Sequence, residues 1–462
     1  MQNPQPAIRN PKLIVVIGMG YVGIPCAALL ADAPGHKVIG VQRRSERSGW
    51  KIEVLNRGES PFEGHEPGLA ELIARVVKKG TFRVTDDISV CKDADVILID
   101  VQTPTNTRRI PQYHSLREVS AAVGKYMKIG VLVVIESTVA PGTTQNIVLP
   151  ILEKTSGMKA GQDFYLAFSY ERVMPGKLLE FMVDFPRVVG GIDAKSTELA
   201  VELYKAIVKK EITATDVLTA ELAKTVENAY RDVNIAFANE MALVCESLGV
   251  DVYELRELIN ARPDRHMHLP GAGVGGHCLP KDTWLLRFGV KEYGTRDVEM
   301  AMITLARRIN DSMPYHMARL VEEALAEAGR ELKGARVAVL GLAYLEDSDD
   351  IRNSPAEPLI HTLRGKGAWI MAHDPYVWGY EGEELTRDLD EALRGADCLA
   401  LVTKHRMYYE LDLAYVKALM RTPVIVDGRN VFDAKACREA GFVYRGIGKG
   451  GISVQCSSYP TL

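Results

Sequence analysis

The sequence lacks the features that would tie a chain to a membrane, to nucleic acid or to an oxidising compartment. Its seven cysteines are scattered and include no Cys-x-x-Cys pair, so neither a disulfide framework nor a zinc site is indicated. Lysine and arginine (56) are slightly outnumbered by aspartate and glutamate (60), which argues against a nucleic-acid or anionic-membrane partner. The apolar runs are too short to cross a bilayer, and the first residues lack a signal-peptide pattern. These absences predict a cytoplasmic protein without a metal site.

What is present is enough material for two or three domains, 462 residues of which 47% are hydrophobic. An apolar, β-branched run at residues 13–17 leads into Gly18-Met-Gly20-Tyr-Val-Gly23 and a helical stretch. In such a strand–turn–helix unit Gly18 makes the tight turn, Gly20 lets backbone approach a pyrophosphate, and Gly23 lets the helix pack on the strand. The helix N-terminus then faces the phosphates. This order predicts a Rossmann domain that binds a dinucleotide.

The end of the next strand, residues 37–41, bears on which dinucleotide is bound. An acid that holds the ribose 2′-hydroxyl is expected there, whereas the chain continues with Gln42, Arg43, Arg44 and then Arg47. Loss of the carboxylate together with added guanidinium groups is the usual way to accommodate a 2′-phosphate. We therefore expect NADP to be accepted, or even preferred, over NAD. The alternative is a solvated basic loop.

Apolar runs at residues 96–101 and 131–135 predict further parallel strands, followed by polar segments that contain Thr103 and Thr138. The carboxyl ends of such strands share the edge at which doubly wound folds bind ligands. These threonines are therefore candidate ligand contacts, with turn and helix-cap chemistry as the alternative. Two more strands are expected at 164–168 and 187–191, with a polar loop between them.

A glycine-rich segment at residues 269–282 is the most unusual stretch of the chain. It places glycine at four of six positions (271, 273, 275 and 276), then Cys278, and soon afterwards Lys281 and Asp282. Bare backbone can approach a ligand closely. A thiol beside a lysine and open amides is a setting in which the thiolate is stabilised. The alternative is a turn before a helix, with Cys278 as a small buried hydrophobe.

The middle of the chain is predicted to be helical. Residues 213–248 contain no proline or glycine, and a helix from about residue 214 would carry Lys224, Asn228 and Arg231 on one face. A solvated polar stripe is the alternative explanation of that face. A second helix is expected at 298–328, interrupted near Pro314. Such a helical region would join two α/β halves and supply a dimer face.

A second α/β pattern starts near residue 333, with strands expected at 369–372, 398–402 and 424–427. Because this half lacks a second Gly-x-Gly-x-x-Gly, a second dinucleotide is not expected. The fold class is therefore α/β, with an N-terminal Rossmann domain, a central helical dimerisation domain and a C-terminal Rossmann-like domain. Their expected bounds are 1–210, 211–330 and 331–462.

Six motifs in order resemble the UDP-glucose/GDP-mannose dehydrogenase family along nearly the whole chain. They are Gly-Met-Gly-Tyr-Val-Gly, Ser-Thr-Val-Ala-Pro-Gly-Thr-Thr, Glu-Arg-Val-Met-Pro-Gly, the helix at 220–240, Gly-Val-Gly-Gly-His-Cys-Leu-Pro-Lys-Asp, and Asp-Asp-Ile-Arg-Asn-Ser-Pro. The resemblance implies oxidation of the C6 hydroxyl of a nucleotide sugar to the uronate with two dinucleotides in succession. It favours a UDP-N-acetylhexosamine, first UDP-N-acetyl-D-mannosamine, with UDP-N-acetylglucosamine or UDP-glucose as alternatives. The C-terminal domain would bind the nucleotide sugar.

The resemblance also implies catalytic roles. Cys278 would attack the intermediate aldehyde to give a thiohemiacetal, which a second hydride transfer converts to a thioester. Lys224 would exchange a proton or stabilise the oxyanion, and Asp282 would orient or activate water. Asn228 would help to position that water or the oxyanion, and Glu171 matches the acid of the family's Ser-Pro-Glu loop.

Binding residues carry over in the same way. The substrate contacts implied are Arg172, Val173, Lys224, Asn228, Arg231, Arg265, Gly275, Tyr344 and Arg429. The cofactor contacts are Gly18, Gly20, Tyr21, Val22, Gly23, Gln42, Arg43, Arg44, Arg47, Thr103, Thr138 and Arg352. Arg265 is expected to reach across from a neighbouring subunit of a homo-oligomer, a dimer or a dimer of dimers.

Besides the missing ribose acid, two substitutions depart from the family pattern. Tyr170 stands where a proline is usual, and Leu345 replaces a lysine that meets the nucleotide diphosphate, with Glu346 and Asp347 adding negative charge. The pocket would then recruit another cation, or the nucleotide would differ. A two-electron hydroxyacid dehydrogenase, which would have no use for Cys278, and a catalytically idle nucleotide sensor remain the alternative functions.

Overall fold

The computed structural model describes residues 12–46, 48–62, 64–380 and 382–450. The chain forms two compact units. The first unit runs to Glu227 and includes Lys281–Glu299, and the second comprises Asn228–Pro280 and the chain from Met300 onward.

The sheet of the first unit has eight strands in the order β3-β2-β1-β4-β5-β6-β7-β8. They are β1 Lys12–Ile17, β2 His36–Val41, β3 Phe82–Thr85, β4 Val96–Ile99, β5 Leu132–Ile135, β6 Tyr165–Phe168, β7 Arg187–Gly191 and β8 Ile212–Asp216. Strands β1 to β6 are parallel, and β7 is antiparallel to β6 and parallel to β8. All of these strands except β3 and β8 were expected from the sequence.

Helices cover both faces of this sheet, which explains why β4 and β5 are apolar and buried throughout. Alternate residues of β1 enter two separate cores, Ile14 and Val16 in one and Val15 and Ile17 in the other. The helices that precede the middle of the chain are α1 Gly23–Asp32, α2 Lys51–Asn56, α3 Leu69–Lys78, α4 His114–Tyr126, α5 Leu149–Ser156, α6 Leu178–Asp184 and α7 Ala194–Tyr204.

The second unit contains a six-stranded, fully parallel sheet in the order β11-β10-β9-β12-β13-β14. Its strands are β9 Arg336–Leu340, β10 Trp369–His373, β11 Leu385–Thr386, β12 Cys398–Leu401, β13 Val424–Asp427 and β14 Val443–Gly446. Val337 and Val339 enter one core, whereas Ala338 and Leu340 enter the other. Its shorter helices are α12 Ala356–Gly365, α13 Leu389–Leu393, α14 Leu413–Leu419 and α15 Ala434–Glu439.

The middle of the chain is helical, as expected, but two details of that expectation are wrong. The helices are α8 Val217–Leu248, α9 Val252–Asn260, α10 Leu279–Tyr293 and α11 Ala301–Glu327. Residues 214–216 end strand β8, because their ladder bonds to β7 outweigh the helical pattern. Helix α11 is continuous through Pro314, where burial of Met313 and Met317 offsets a proline penalty of about 3 kcal/mol.

The fold class is the predicted one. An N-terminal Rossmann sheet, long central helices and a C-terminal Rossmann-like sheet follow one another along the chain. Within the described ranges, none of the helices is both long enough and apolar enough to cross a membrane.

Candidate cofactor and active sites

The turn after β1 leaves room for a pyrophosphate. Gly18 has a φ of 110°, and a Cβ there would lie 2.0 Å from the carbonyl oxygen of Asp100. A Cβ on Gly23 would lie 1.9 Å from the carbonyl oxygen of Gly18, so α1 packs directly on the turn. Gly20, by contrast, has no protein atom within 4 Å of an added Cβ. Two glycines therefore serve close packing, and the third borders open space at the N-terminus of α1, where an anion is favoured.

The residues beside this turn belong to the first unit's core. Tyr21 stacks on Phe62 with 4.5 Å between ring centroids. Val22 and Val173 are partly buried against the same hydrophobic cluster as Tyr21. These side chains give the predicted cofactor turn and the predicted substrate loop a common apolar support.

Gln42 occupies the position expected for the ribose acid. Its Oε1 accepts a hydrogen bond from the Met19 N–H at 3.1 Å, and its Nε2 donates to Ser48 Oγ at 2.9 Å. The amide therefore ties the end of β2 to the glycine turn. It supplies no carboxylate for a ribose hydroxyl.

The basic residues that follow Gln42 are not all available to a phosphate. The Arg44 guanidinium lies 2.9 Å from a carboxylate oxygen of Glu53 and 2.9 Å from one of Asp86. Arg43 is exposed, and Arg47 lies outside the described residues. Arg44, one of the three arginines that the sequence assigned to a 2′-phosphate, is thus neutralised by two acids.

Thr103 and Thr138 do come together at the carboxyl edge of the sheet. The Thr103 hydroxyl donates to the carbonyl of Thr138 at 2.6 Å, and the Lys281 ammonium lies 3.2 Å from Thr103 Oγ1. Lys281 Nζ is also 3.5 Å from Asp282 Oδ1, and both side chains are buried. The sequence analysis placed Lys281 beside Cys278 as a cation that would stabilise the thiolate, and the structure places its ammonium between a candidate cofactor contact and a candidate catalytic acid.

Lys224 and Glu171 also meet within the first unit. The buried Lys224 ammonium donates to the backbone carbonyl of Glu171 at 2.7 Å. The Glu171 carboxylate is bound by Arg187, which also donates to Glu136 at 2.7 Å. Arg187 and Glu136 were not predicted as site residues, although an arginine at the start of an otherwise apolar strand indicates a buried ion pair.

Tyr170, which departs from the family pattern, forms a platform for two cations. Its ring centroid lies 5.3 Å from Lys224 Nζ and 5.3 Å from the Arg172 guanidinium. Arg172 also lies 3.0 Å from Glu227, so the predicted phosphate contact is paired with an acid. Burial, and then the charge of Glu227, raises the pKa of Tyr170 to about 12. The phenol therefore stays neutral near physiological pH.

In the second unit, both ends of the glycine-rich segment are held by side chains or backbone. The Gly271 N–H donates to Asn239 Oδ1 at 2.9 Å. The Gly276 N–H donates to the carbonyl of Arg352 at 2.8 Å, and Asn353 Nδ2 donates to the carbonyl of Gly276 at 3.0 Å. Asn239 and Asn353 lie within motifs that the sequence resemblance includes, but no role was assigned to either of them.

The glycines are explained by these close contacts. A Cβ on Gly275 would lie 2.5 Å from Tyr344 Cβ, and one on Gly276 would lie 2.8 Å from the Tyr344 ring. A Cβ on Gly271 would lie 2.3 Å from Arg429 Nη1. These positions therefore require glycine because any side chain would clash with Tyr344 or Arg429. The prediction from the sequence explained the glycines by a bound ligand instead.

Cys278 is exposed, whereas the other described cysteines are buried. Burial raises the pKa of Cys91 to about 12, which makes that thiol unreactive at neutral pH. The explanation of Cys278 as a buried hydrophobe is wrong. Burial, and after it the charges of Asp350 and Cys278, raises the pKa of Tyr344, so this phenol and Cys278 lie within electrostatic reach of each other.

Two arginines predicted to bind ligands in the second unit also bind the protein. Arg352 Nε donates to Asp350 Oδ1 at 2.8 Å. Arg429 donates to the carbonyl of Gly273 at 3.0 Å and to that of Val402 at 2.8 Å. Arg429 thus fastens the glycine-rich segment, and burial lowers the pKa of its guanidinium.

The remaining predicted contacts are more open. The Arg265 guanidinium is exposed and lies 2.6 Å from Asp264. Arg231 is exposed on α8, and Asn228 is half-buried on the same helix. The role at a subunit boundary that the resemblance implies for Arg265 stays a prediction.

The loop around Leu345 contains its own compensating groups. Lys404 Nζ lies 3.3 Å from Glu346, and Asp347 Oδ1 accepts a hydrogen bond from the Arg406 N–H at 3.0 Å. Both acids that follow Leu345 are therefore engaged. Lys404 places a cation next to the position where the family's lysine is missing.

The turn after β9 differs from the turn after β1. Asp374 Oδ2 accepts hydrogen bonds from the N–H groups of Leu342 and Ala343 at 2.7 and 2.8 Å. The same oxygen lies 3.1 Å from His405 Nε2. Backbone donors that a phosphate would need are thus already bound, which agrees with the missing glycine fingerprint in this half.

The first unit's open glycine turn, at the amino end of a Rossmann helix, is a dinucleotide site, and the match of this region to an NAD binding domain of dehydrogenases makes the protein an NAD-dependent oxidoreductase. Residues 12–208, 218–312 and 338–434 match, respectively, the NAD binding, central and UDP binding domains of the UDP-glucose/GDP-mannose dehydrogenase family. The chain belongs to this family and is a nucleotide-sugar dehydrogenase.

Several relatives are similar along nearly their full length. The chain is 40% identical to the UDP-N-acetyl-D-mannosamine dehydrogenase of Pyrococcus horikoshii over 440 residues, which cover 95% of this chain and 100% of the relative. A solved UDP-D-ManNAc dehydrogenase structure from the same organism is 39% identical with a TM-score of 0.87, covering 95% and 99% of the two chains. The NDP-N-acetyl-D-galactosaminuronic acid dehydrogenase structure from Methanosarcina mazei Go1 is 45% identical with a TM-score of 0.83, covering 96% of each chain.

Proposed function

We propose that the protein oxidises the C6 hydroxyl of a UDP-N-acetylhexosamine, first UDP-N-acetyl-D-mannosamine, to the uronate. The observation that carries this proposal is the exposed Cys278, two residues after Gly276, whose peptide groups are both hydrogen-bonded to Arg352 and Asn353. The relatives named for UDP-N-acetyl-D-mannosamine support the substrate. The galactosaminuronic acid relative makes an N-acetylgalactosamine epimer a second candidate, and UDP-N-acetylglucosamine and UDP-glucose are further ones.

A dinucleotide held at the glycine turn of residues 18–23 would supply the hydride acceptor, with one oxidised dinucleotide for each of two half-reactions. Between them, Cys278 Sγ attacks the C6 aldehyde, and the carbonyl oxygen takes a proton to become the hydroxyl of a thiohemiacetal. Loss of the remaining C6 hydride and the hydroxyl proton leaves a thioester. One water cleaves the C–S bond, which releases the uronate and returns the thiol. The covalent bond keeps the aldehyde from escaping between the two oxidations.

The residues of the first unit suit the proton and charge movements of this scheme. Lys224 is buried and oriented by the Glu171 carbonyl, which suits an ammonium that stabilises an oxyanion. Because the Glu171 carboxylate is bound by Arg187, we assign Glu171 to holding Lys224 and not to free base chemistry. Asp282, beside Lys281, is proposed to orient the water.

The nucleotide is proposed to bind at the carboxyl edge of the second sheet, beside Tyr344 and Arg352. Lys404 would take the place of the missing family lysine, since it already lies next to Glu346. This assignment keeps the three predicted regions, 1–210 for the dinucleotide, 211–330 for association and 331–462 for the nucleotide sugar.

For the cofactor, we propose that NAD is the better substrate and that NADP is accepted less well. A 2′-phosphate would have to draw Arg44 away from Glu53 and Asp86. Gln42 has no charge that would repel such a phosphate, so NADP is not excluded by repulsion.

We also propose a homodimer in which a second copy covers one face of α8. Tyr230, Phe237, Val244 and Leu248 recur at seven, seven and four residues, and all are exposed. The helix has 32 residues and so extends about 48 Å, long enough for a standard interface. Light scattering on the purified chain tests this, and a monomer at micromolar concentration contradicts it.

The test of the reaction is a panel of the four UDP-sugars named above with each cofactor, scored for two reduced dinucleotides and one uronate per sugar. Cys278→Ala is expected to lower uronate formation about 10³-fold, since the covalent route is lost. Cys245→Ala, at a buried cysteine, is the matched control and should keep its activity. Near-normal uronate formation by Cys278→Ala would contradict the covalent route, whereas one reduced dinucleotide per substrate and no uronate in the wild type would favour the two-electron hydroxyacid dehydrogenase.

A further inference from the structure

We propose that Asn353 is a positioning residue through which nucleotide binding fixes Cys278. The glycine loop is defined here as residues 269–278, and the nucleotide loop as residues 344–355. Both lie in the second unit. The proposal rests on the proposed function, because it takes UDP to bind at the nucleotide loop.

The first support is a double hydrogen bond at a single glycine. The Gly276 N–H donates to the carbonyl of Arg352 at 2.8 Å, and Asn353 Nδ2 donates to the carbonyl of Gly276 at 3.0 Å. Two consecutive residues of the nucleotide loop therefore hold both peptide groups of a residue only two positions before Cys278. Such a pair of bonds fixes the direction of the chain as well as its distance.

The second support is the close packing of the glycine loop against the nucleotide loop. Besides its contact with Tyr344, a Cβ on Gly275 would lie 2.8 Å from the carbonyl oxygen of Asn353. Gly276 has a φ of 86° and lies against the Tyr344 ring. Because close-packed groups transmit displacements, a shift of Tyr344 or Asn353 must move the glycine loop.

The third support is the backbone of Asn353 itself. Its φ is 51°, in the left-handed region that costs most side chains energy and that asparagine tolerates best. The nucleotide loop is closed on itself by the Tyr344 N–H, which donates to the carbonyl of Asp350 at 2.9 Å. Ligand contacts at Tyr344 or Arg352 would therefore stiffen a loop that already holds Gly276.

The experiment is amide hydrogen exchange of the full-length protein with and without UDP, followed by calorimetric UDP titration and turnover measurements. In the wild type, UDP is expected to slow exchange in both loops at least threefold. In Asn353→Gly, which keeps the left-handed backbone but removes the donor, UDP should still protect the nucleotide loop and no longer protect the glycine loop. UDP affinity should stay within about threefold, while kcat falls about tenfold because Cys278 is misplaced.

Two further variants serve as controls for the role of the Asn353 side chain. Asn353→Asp keeps the shape and the backbone preference but cannot donate to Gly276, so it should behave as Asn353→Gly does. Asn430→Gly makes the same substitution at another left-handed asparagine, with φ 56°, and should keep the wild-type coupling.

The possible failures are distinguishable. If UDP protects the glycine loop equally in the wild type and in both Asn353 variants, Asn353 does not transmit binding and the inference is overturned. The same holds if the wild type shows protection of the nucleotide loop alone. Protection of neither loop, although UDP binds calorimetrically, overturns the proposed nucleotide site along with the inference, whereas uronate formation tests the reaction independently.

Discussion

The turns that follow β1 and β9 share the conformation of their first glycine but differ in the side chain that binds their backbone N–H groups. In the first unit the Gly18 N–H donates to Val41 at 2.9 Å, and in the second the Gly341 N–H donates to His373 at 2.8 Å. Both glycines have positive φ, 110° and 93°. The backbone therefore enters both turns along the same path, which is why the second half looks like a repeat of the first.

The difference comes from the residue at the end of the neighbouring strand. After β2 this residue is Gln42, which binds the turn through one N–H, that of Met19. After β10 it is Asp374, which binds the N–H groups of both Leu342 and Ala343. An internal carboxylate thus takes the place of a ligand phosphate in the second unit, while the first turn keeps open space at Gly20. The residue after the neighbouring strand therefore adds to the missing glycines as a reason why the two turns differ.

The largest test of this contrast removes the internal carboxylate. Asp374→Ala leaves two backbone donors and His405 without their acceptor, so we expect the second unit to lose about 3–5 kcal/mol of unfolding free energy. Amide exchange in β9 and β12, compared with β4 and β5 as the internal control, measures it. An equal loss of stability in both sheets would show that Asp374 does not stabilise the second unit specifically.

The units should also respond to pH with opposite signs. Burial raises the pKa of Glu221, in the first unit, to about 7, so its contribution is present below pH 4.5 and is lost as the pH rises to 7. Burial lowers the pKa of His373, in the second unit, to about 4, so its contribution is present above pH 6.5 and is lost as the pH falls toward 4. Each effect is about 3 kcal/mol.

Exchange-derived stabilities of each sheet at pH 5 and pH 7 measure these slopes. Glu221→Gln and His373→Gln serve as controls that do not titrate in this range, and each should flatten the slope of its own unit only. Wild-type sheets that respond to pH in parallel would contradict the assignment of these two buried groups.

The sequence could predict most of the strands and the open turn, because these depend on local patterns, whereas the pattern around Cys278 left open whether the thiol is exposed. Buried parallel strands are apolar runs, and the three glycines of the first turn act within six residues of one another. The roles of Asp374, Arg187 and Asn353 could not be predicted, because their partners are distant in the sequence. Asp374 binds a residue 31 positions away, Arg187 one 16 positions away, and Asn353 one 77 positions away. Those contacts exist only once the sheets have closed.

The start of α8 shows the same limit. Residues 214–216 fit a helical pattern, yet they pair with β7, a strand more than 20 residues earlier in the chain. Local preference of this size is weak against ladder hydrogen bonds and burial. The glycines of the glycine loop are a related case, because their crowding by Tyr344 and Arg429 is a tertiary contact that composition alone does not reveal.

The next prediction compares alanine substitutions at a glycine of each turn, Gly20 and Gly341. In Gly20→Ala the new Cβ meets no protein atom, so stability should change by less than about 1 kcal/mol while NAD binding weakens about 100-fold, or ~2.7 kcal/mol. Gly341→Ala should lower the stability and leave NAD binding unchanged, because its Cβ would lie 2.5 Å from Thr403 Cβ. Calorimetric NAD titration and urea unfolding of both variants check this, and normal NAD affinity in Gly20→Ala would place the pyrophosphate elsewhere.

The smallest expected effect concerns the residue that keeps the first turn open. Gln42→Asp restores a carboxylate that can hold the ribose 2′-hydroxyl and repel a 2′-phosphate, so the NAD-to-NADP ratio of kcat/KM should rise about tenfold. Arg44→Ala then asks whether that guanidinium leaves Glu53 and Asp86 for the phosphate. A large, selective loss of NADP activity in Arg44→Ala means that it does, and a wild type that strongly prefers NADP would reverse our assignment. An unchanged ratio in Gln42→Asp would mean that the end of β2 does not reach the ribose.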